Sequence, residues 1–226
     1  MKKPLLVFDM DGVLIDVTES YRETIIRTVA HFTGKQLDHT AIQGYKNEGG
    51  WNDDWQLSHH IVTNAGVDAP FETVKAEFQR LFLDNGEESL MLREKWVARP
   101  GKLEALNEQF DFALFTGRPQ YEAGVSLRRF APALTFAPLI AMENVEQHKP
   151  APEGLLKIVS EVAPPSVYYI GDTVDDARCA RAAKVPFIGI AAPSNPLYLD
   201  LVFLFQEVGS YAIVDDINYL DEVFPV

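Results

Sequence analysis

Among 226 residues the sequence holds one cysteine, Cys179, which excludes an intramolecular disulfide and fits a reducing compartment. No apolar run approaches the ~18 uninterrupted residues that a membrane-spanning helix needs. The run after Met1-Lys2-Lys3-Pro4 meets Asp9 too soon to serve as a signal peptide. Basic residues are in short supply, 20 Lys and Arg against 33 Asp and Glu, for a formal net charge of −13. That balance argues against a general binder of nucleic acid or anionic membrane, which would want a basic patch. It leaves room for an anionic substrate, because a metal and a few local cations can reverse the sign inside a cleft. Repeats and low-complexity tracts are absent as well. The expectation is a soluble, cytoplasmic protein, monomer or homodimer, with neither nucleic acid nor membrane as a partner.

What is present begins with Leu5-Leu6-Val7-Phe8, a short apolar run bounded by Pro4 and an acidic turn. It reads as a buried strand of a parallel sheet. Asp9 and Asp11 stand where it runs out, and an extended backbone through Met10 would point both to one side. Two neighbouring acids repel, so the pair calls for a shared cation or a division of labour between nucleophile and general acid. The alternative is that Asp11-Gly12 is turn chemistry only.

From Asp16 to about Arg93 the pattern is helical. Ile25, Ile26, Val29, Ala30 and Phe32 keep helical spacing ahead of Gly34, and Phe71, Val74, Phe78, Leu81 and Phe82 form a second stripe. Between them, Gly44 to Trp55 has no period and reads as a loop that enters a helix over 54–64. After Pro100-Gly101 strands alternate with helices. Strands are expected at 112–115, 139–141, 167–170 and 187–190, with a small edge strand near 211–214. Helices are expected over 102–109, 120–130, 152–162 and 177–183. That alternation, with the opening strand, predicts an α/β fold: a Rossmann-like, doubly wound parallel sheet interrupted by an all-helical cap. The expected boundaries are 1–16 with 93–226 for the core and 17–92 for the cap. Ligands of such sheets bind outside the carboxyl ends of the strands, where Asp9, Thr116 and Asp172 all fall.

Asp9-x-Asp11, Thr116-Gly117 after a strand, Lys149-Pro150 before a helix, and Gly171-Asp172-x-x-x-Asp176 occur in that order. The set resembles the haloacid-dehalogenase-like hydrolase superfamily, in its branch with a helical cap between the first two motifs, and the resemblance covers essentially the whole chain. It implies a phosphomonoester hydrolase that acts on a small phosphorylated metabolite through an aspartyl-phosphate. Asp9 would be the nucleophile, and Asp11 the general acid and then the base. Thr116, Gly117 and Lys149 would hold the phosphoryl group. Mg²⁺ would be bound by Asp9, Asp11 through its carbonyl, Asp172 and Asp176, with Asp175 able to exchange roles with Asp176. The acids near Asp172 could instead only cap the following helix.

In the cap, Lys46 and Asn47 are the expected substrate contacts. Arg118 either touches substrate or forms a surface salt bridge, adjacent His59 and His60 point in different directions, and Cys179 reads as a small buried apolar residue. Asp11 argues against the dehalogenases and phosphonate-cleaving enzymes of the superfamily, which depart at that position. A sugar phosphomutase keeps both acids, but Tyr21 stands about where those mutases carry a histidine. A binding protein on a dead scaffold is the remaining alternative, opposed by the intact set of motifs.

Overall fold

The computed structural model describes residues 2–84 and 86–224. The chain divides into two compact units, 1–15 with 96–226, and 16–95. In chain order the elements open with β1 (Leu5–Phe8) and β2 (Ile15–Asp16), followed by α1 (Glu23–Thr33), α2 (His39–Glu48), α3 (Asp54–Asn64) and α4 (Phe71–Phe82). The chain returns through β3 (Lys95–Trp96) to α5 (Lys102–Gln109), β4 (Asp111–Phe115), α6 (Gln120–Phe130) and β5 (Leu139–Ile140). Then come α7 (Glu153–Val162), β6 (Val167–Gly171), α8 (Val174–Ala183), β7 (Phe187–Ile190), α9 (Tyr198–Val208), β8 (Ala212–Val214) and α10 (Leu220–Val223).

The first unit is an α/β fold around a six-stranded sheet of order β5-β4-β1-β6-β7-β8, in which every paired strand runs parallel. β1 lies inside the sheet, Val7 opposite Ala113 on one side and Tyr169 on the other. All four of its side chains are buried, as a strand covered on both faces requires. Phe8 packs edge-on against Phe112, ring centroids 5.0 Å apart. At ~1.5–3 kcal/mol per fully buried large apolar side chain, β1 is a strong anchor for the residues at its end. The chain reverses direction of winding at β1, with β4 on one flank and β6 on the other, which is the topological switch point of an open parallel sheet.

In the second unit, the described residues between β2 and β3 form only helices as regular structure. α1, α3 and α4 pack on one another through Ile25, Val29, Leu57, Val62, Val74, Phe78 and Phe82. Tyr21 joins this core, its ring 4.2 Å from that of Phe82.

The short β2, β3 and α10 have no counterpart in the sequence reading, and three longer elements differ from it. α2 continues to Glu48, capped by Asp38 accepting from the Ala41 N–H at 2.8 Å, so Lys46 and Asn47 lie in a helical last turn and the loop shrinks to 49–53. α8 starts at Val174, three residues early, because Thr173 and Asp176 close a reciprocal capping box. α9 has no counterpart in the sequence reading, since Leu201-Val202-Phe203-Leu204-Phe205 is apolar on every side and hides the period.

Candidate active site

Asp9 follows β1 directly, and its N–H still donates to the Ile170 carbonyl at 2.8 Å, so the sheet fixes its backbone. Met10 is fully buried, and its carbonyl accepts from Leu14 and Ile15, which turns the chain sharply. Gly12, at φ +73°, occupies a conformation that disfavours a side chain. A Cβ there would come within 1.9 Å of Asp172 Oδ2, so glycine is what lets the Asp172 carboxylate lie against this turn. Asp172 follows β6, and carboxylate oxygens of Asp9, Asp172 and Asp176 lie within 4.8 Å of one another.

Each acid of the opening pair has its own cation. Lys149 Nζ lies 2.9 Å from Asp9 Oδ1 and 2.8 Å from Asp176 Oδ1, with its side chain 1% exposed. The rings of Phe115 and Tyr169 flank the ammonium, centroids 4.9 and 5.5 Å away. Arg118 reaches Asp11 instead: Nε donates to Oδ1 at 2.6 Å, and Nη2 contacts the same oxygen. The guanidinium is 1% exposed, so the expected alternative of a surface salt bridge is corrected to a buried one. Arg118 Nη1 also donates to the buried Ser126 hydroxyl at 3.1 Å.

Asp176 combines the capping and the functional readings in one side chain. Its Oδ2 accepts from the Thr173 N–H at 3.1 Å and from the Thr173 hydroxyl at 2.6 Å. Its Oδ1 accepts from the Tyr169 hydroxyl at 2.6 Å and meets Lys149. Both oxygens are thus committed to protein donors. Asp175 is buried and lies 4.0 Å from Arg178. Thr116 is buried at the end of β4, and its hydroxyl oxygen accepts from the Arg118 N–H at 3.1 Å, leaving the hydroxyl proton to donate. Gly117, part-exposed, follows it.

Burial pushes the Asp9 carboxyl up to about 7, against the pull of Lys149. Burial works the same way on Asp176, but Lys149 and the hydroxyls of Thr173 and Tyr169 outweigh it and hold this carboxyl below its usual range. For Lys149, burial favours the neutral amine, yet Asp176 and Asp9 more than compensate and keep the ammonium charged. The cluster therefore holds a fixed positive charge beside a carboxylate whose ionisation is costly. A divalent cation shared by Asp9 and Asp172 would offset that cost, so the donor set fits one. Cys179 is buried, and its thiol is pushed up to about 12 by burial.

The helical unit's expected contacts are tied up locally. Lys46 Nζ meets Asp54 at 2.5 Å and donates to the Trp51 carbonyl at 2.7 Å, which staples the 49–53 loop. Asn47 accepts from Gln43, whose own oxygen accepts from Arg22. His59 contacts the Ala69 carbonyl and His60 the Asn64 amide, and both line one cavity with Trp51 and Phe71. What sequence reasoning missed is the Arg118–Asp11 pair; its signal was an arginine directly after Thr116-Gly117, at a strand end.

Among the described residues, no helix is long and apolar enough to cross a membrane. The sequence pattern of the haloacid dehalogenase-like hydrolase family matches residues 6–190. An imidazoleglycerol-phosphate dehydratase of Phytophthora nicotianae is 33% identical over 199 residues, covering 84% of this chain and 44% of that protein. The chain thus spans less than half the length of that relative. A phosphoglycolate phosphatase of Pseudomonas putida is 26% identical over 199 residues, 84% of this chain and 70% of that one. A haloacid dehalogenase-like protein of unknown function from Agrobacterium tumefaciens superposes with a TM-score of 0.73 at 18% identity, over 98% of this chain and 97% of that one, which shows a shared fold. With the family pattern spanning most of its length, the chain belongs to the haloacid dehalogenase-like hydrolases.

Proposed function

We propose that the protein is a Mg²⁺-dependent phosphatase of small phosphorylated metabolites, with Asp9 as nucleophile. The observation that carries this is Asp9 at the end of β1, paired with the buried Lys149 and within 4.8 Å of Asp172 and Asp176. A carboxylate in that position can attack phosphorus, and the ammonium can pair with the phosphoryl oxygens as charge builds on them. The Thr116 hydroxyl and the Gly117 N–H are suited to the same oxygens. Asp11 gives a proton to the leaving oxygen, and later takes one from the water that cleaves the aspartyl-phosphate. Asp9, Asp172 and the Asp11 carbonyl would hold the metal, while Asp176, with both oxygens engaged, fixes Lys149 from one shell further out. When bound, the cation neutralises phosphoryl charge and relieves its repulsion with Asp9.

Both curated relatives are named for small phosphorylated metabolites, which supports that substrate class. Tyr21, which stands about where the mutases carry a histidine, packs its ring into the helical unit's apolar core against Phe78 and Phe82, and the hydrolase reading is preferred.

The test is phosphate release from p-nitrophenyl phosphate, with Mg²⁺ and with chelator, for the native protein and Asp9→Asn. Activity should need Mg²⁺ and should fall by at least about 10³-fold in the variant. Turnover that survives either treatment overturns the assignment.

A further inference from the structure

We propose that Arg118 is a positioning residue for proton transfer: it grips one oxygen of Asp11 so that the other, Oδ2, is the one that exchanges protons with the leaving group and with water. This inference rests on the phosphatase reading and adds a residue to it.

Three observations converge on Arg118. Its Nε and Nη2 both fall on Asp11 Oδ1, a two-nitrogen hold on a single oxygen that leaves Oδ2 for exchange. Its Nη1 is anchored to Ser126 on α6, so the guanidinium plane is fixed from the far side as well. Its backbone N–H donates to the Thr116 hydroxyl oxygen, which fixes the Arg118 backbone beside the residue that would hold the phosphoryl group. Asp11 needs such a hold, because its side chain is 30% exposed and would otherwise sample several rotamers. A guanidinium suits the task better than an ammonium, since its planar fork fixes direction as well as charge.

The proton balance closes over one cycle. As the bond from Asp9 to phosphorus forms and the ester bond breaks, the Oδ2 proton of Asp11 passes to the leaving oxygen. When water attacks the aspartyl-phosphate, one water proton returns to Oδ2, the Asp9–phosphorus bond breaks, and Asp11 is ready for the next ester. Misdirecting Oδ2 should slow the first step most where the leaving group needs that proton. An ester with a weakly acidic alcohol needs it, and one that releases a stable phenolate does not.

The experiment compares single-turnover release of phenol from phenyl phosphate with release of nitrophenolate from p-nitrophenyl phosphate, both in saturating Mg²⁺. Arg118→Gln should slow phenyl phosphate by about 30-fold or more and p-nitrophenyl phosphate by less than about 3-fold, part of the ~10²–10⁴-fold that a general acid contributes, since Asp11 itself remains. Arg118→Lys should fall between native and Arg118→Gln, and it carries the same comparison if the glutamine variant does not fold. Added to Asp11→Asn, Arg118→Gln should cost nothing further, because the residue it positions is gone. An equal slowing of both esters, no slowing of either, or a full additional loss in the double variant overturns the proposal. A native protein that releases neither phenol removes the phosphatase reading, and this inference falls with it. An active native protein with indifferent Arg118 variants removes this inference alone.

Discussion

In the α/β unit the ammonium of Lys149 is almost wholly out of water and lies between two carboxylates drawn from Asp9, near the start of the chain, and Asp176, near its end. In the helical unit Lys46 meets Asp54 only eight residues on, Glu23 meets Arg27 one helical turn away, and Glu77 meets Arg80 three residues on. The helical pairs need little more than local structure, and pairs of that kind contribute a few tenths to about 1 kcal/mol each. The Lys149 pairs exist only once β1, β6 and the 149–152 turn have been brought together. Their charges bear a desolvation cost that an apolar cluster of the same size would not. Buried charge retained at a strand end signals chemistry, and charge stitched along a helix signals stability.

Lys149→Met should break that contrast most visibly. We expect kcat to fall by about 10²–10³-fold, and stability to fall by about 3–5 kcal/mol because two buried acids lose their counter-charge. The pH dependence follows from Asp9. Its folded pKa, about 7, lies above the usual value of 3.8, so ionisation costs stability and the favourable contribution is lost as pH rises through 7. Without Lys149 that pKa rises further, so the variant should be closer to native stability at pH 6 than at pH 8. Urea unfolding at the two pH values measures this. A variant no weaker than a severed helical pair would mean that the buried cluster is not organised around Lys149.

Lys46→Met sharpens the contrast from the other side. Removing the Asp54 contact and the Trp51 carbonyl bond should cost about 1–2 kcal/mol of stability, both partners being largely but not fully buried. With only the loop loosened, kcat/KM should stay within about 3-fold of native. A tenfold rise in KM with unchanged thermal stability would instead give Lys46 a direct hold on substrate.

The same contrast governs what the sequence disclosed. β1, β4 and β6 were legible because each is a short apolar run that ends abruptly in a polar residue, and the position of Asp9, Thr116 and Asp172 followed from those ends. α4 was legible through its stripe, with Val74, Phe78 and Phe82 fully buried. α9 was not, since Leu199 and Phe203 remain exposed on a helix whose apolar residues have no side. α2 was hidden because its polar face is nearly its whole surface, and only Ile42 and Gln43 turn inward. Arg118 was singled out, but its burial escaped because that is decided by distant partners, Asp11 and Ser126, that no local pattern announces.

The smallest effect concerns a local pair in the α/β unit that serves the buried cluster. Glu153, in the first turn of α7, accepts from the Gln147 N–H at 2.8 Å and the Glu146 N–H at 3.1 Å, and pairs with Lys157 at 2.7 Å. It thereby braces the turn that carries Lys149 toward Asp9. The Lys157 contact and those backbone donors lower its carboxyl to about 2 from 4.5. A depressed pKa means that the stabilising contribution is present above the unfolded value and lost as pH falls through the folded one. Glu153→Gln should therefore melt slightly below the native protein at pH 7, and the two curves should converge as pH falls toward 2. A small drop in kcat without a change in KM should accompany the shift, since the variant loosens a brace and leaves Lys149 itself in place. Thermal melts at pH 7 and 3, read beside kcat, decide whether a surface pair one helical turn long can tune a buried charge.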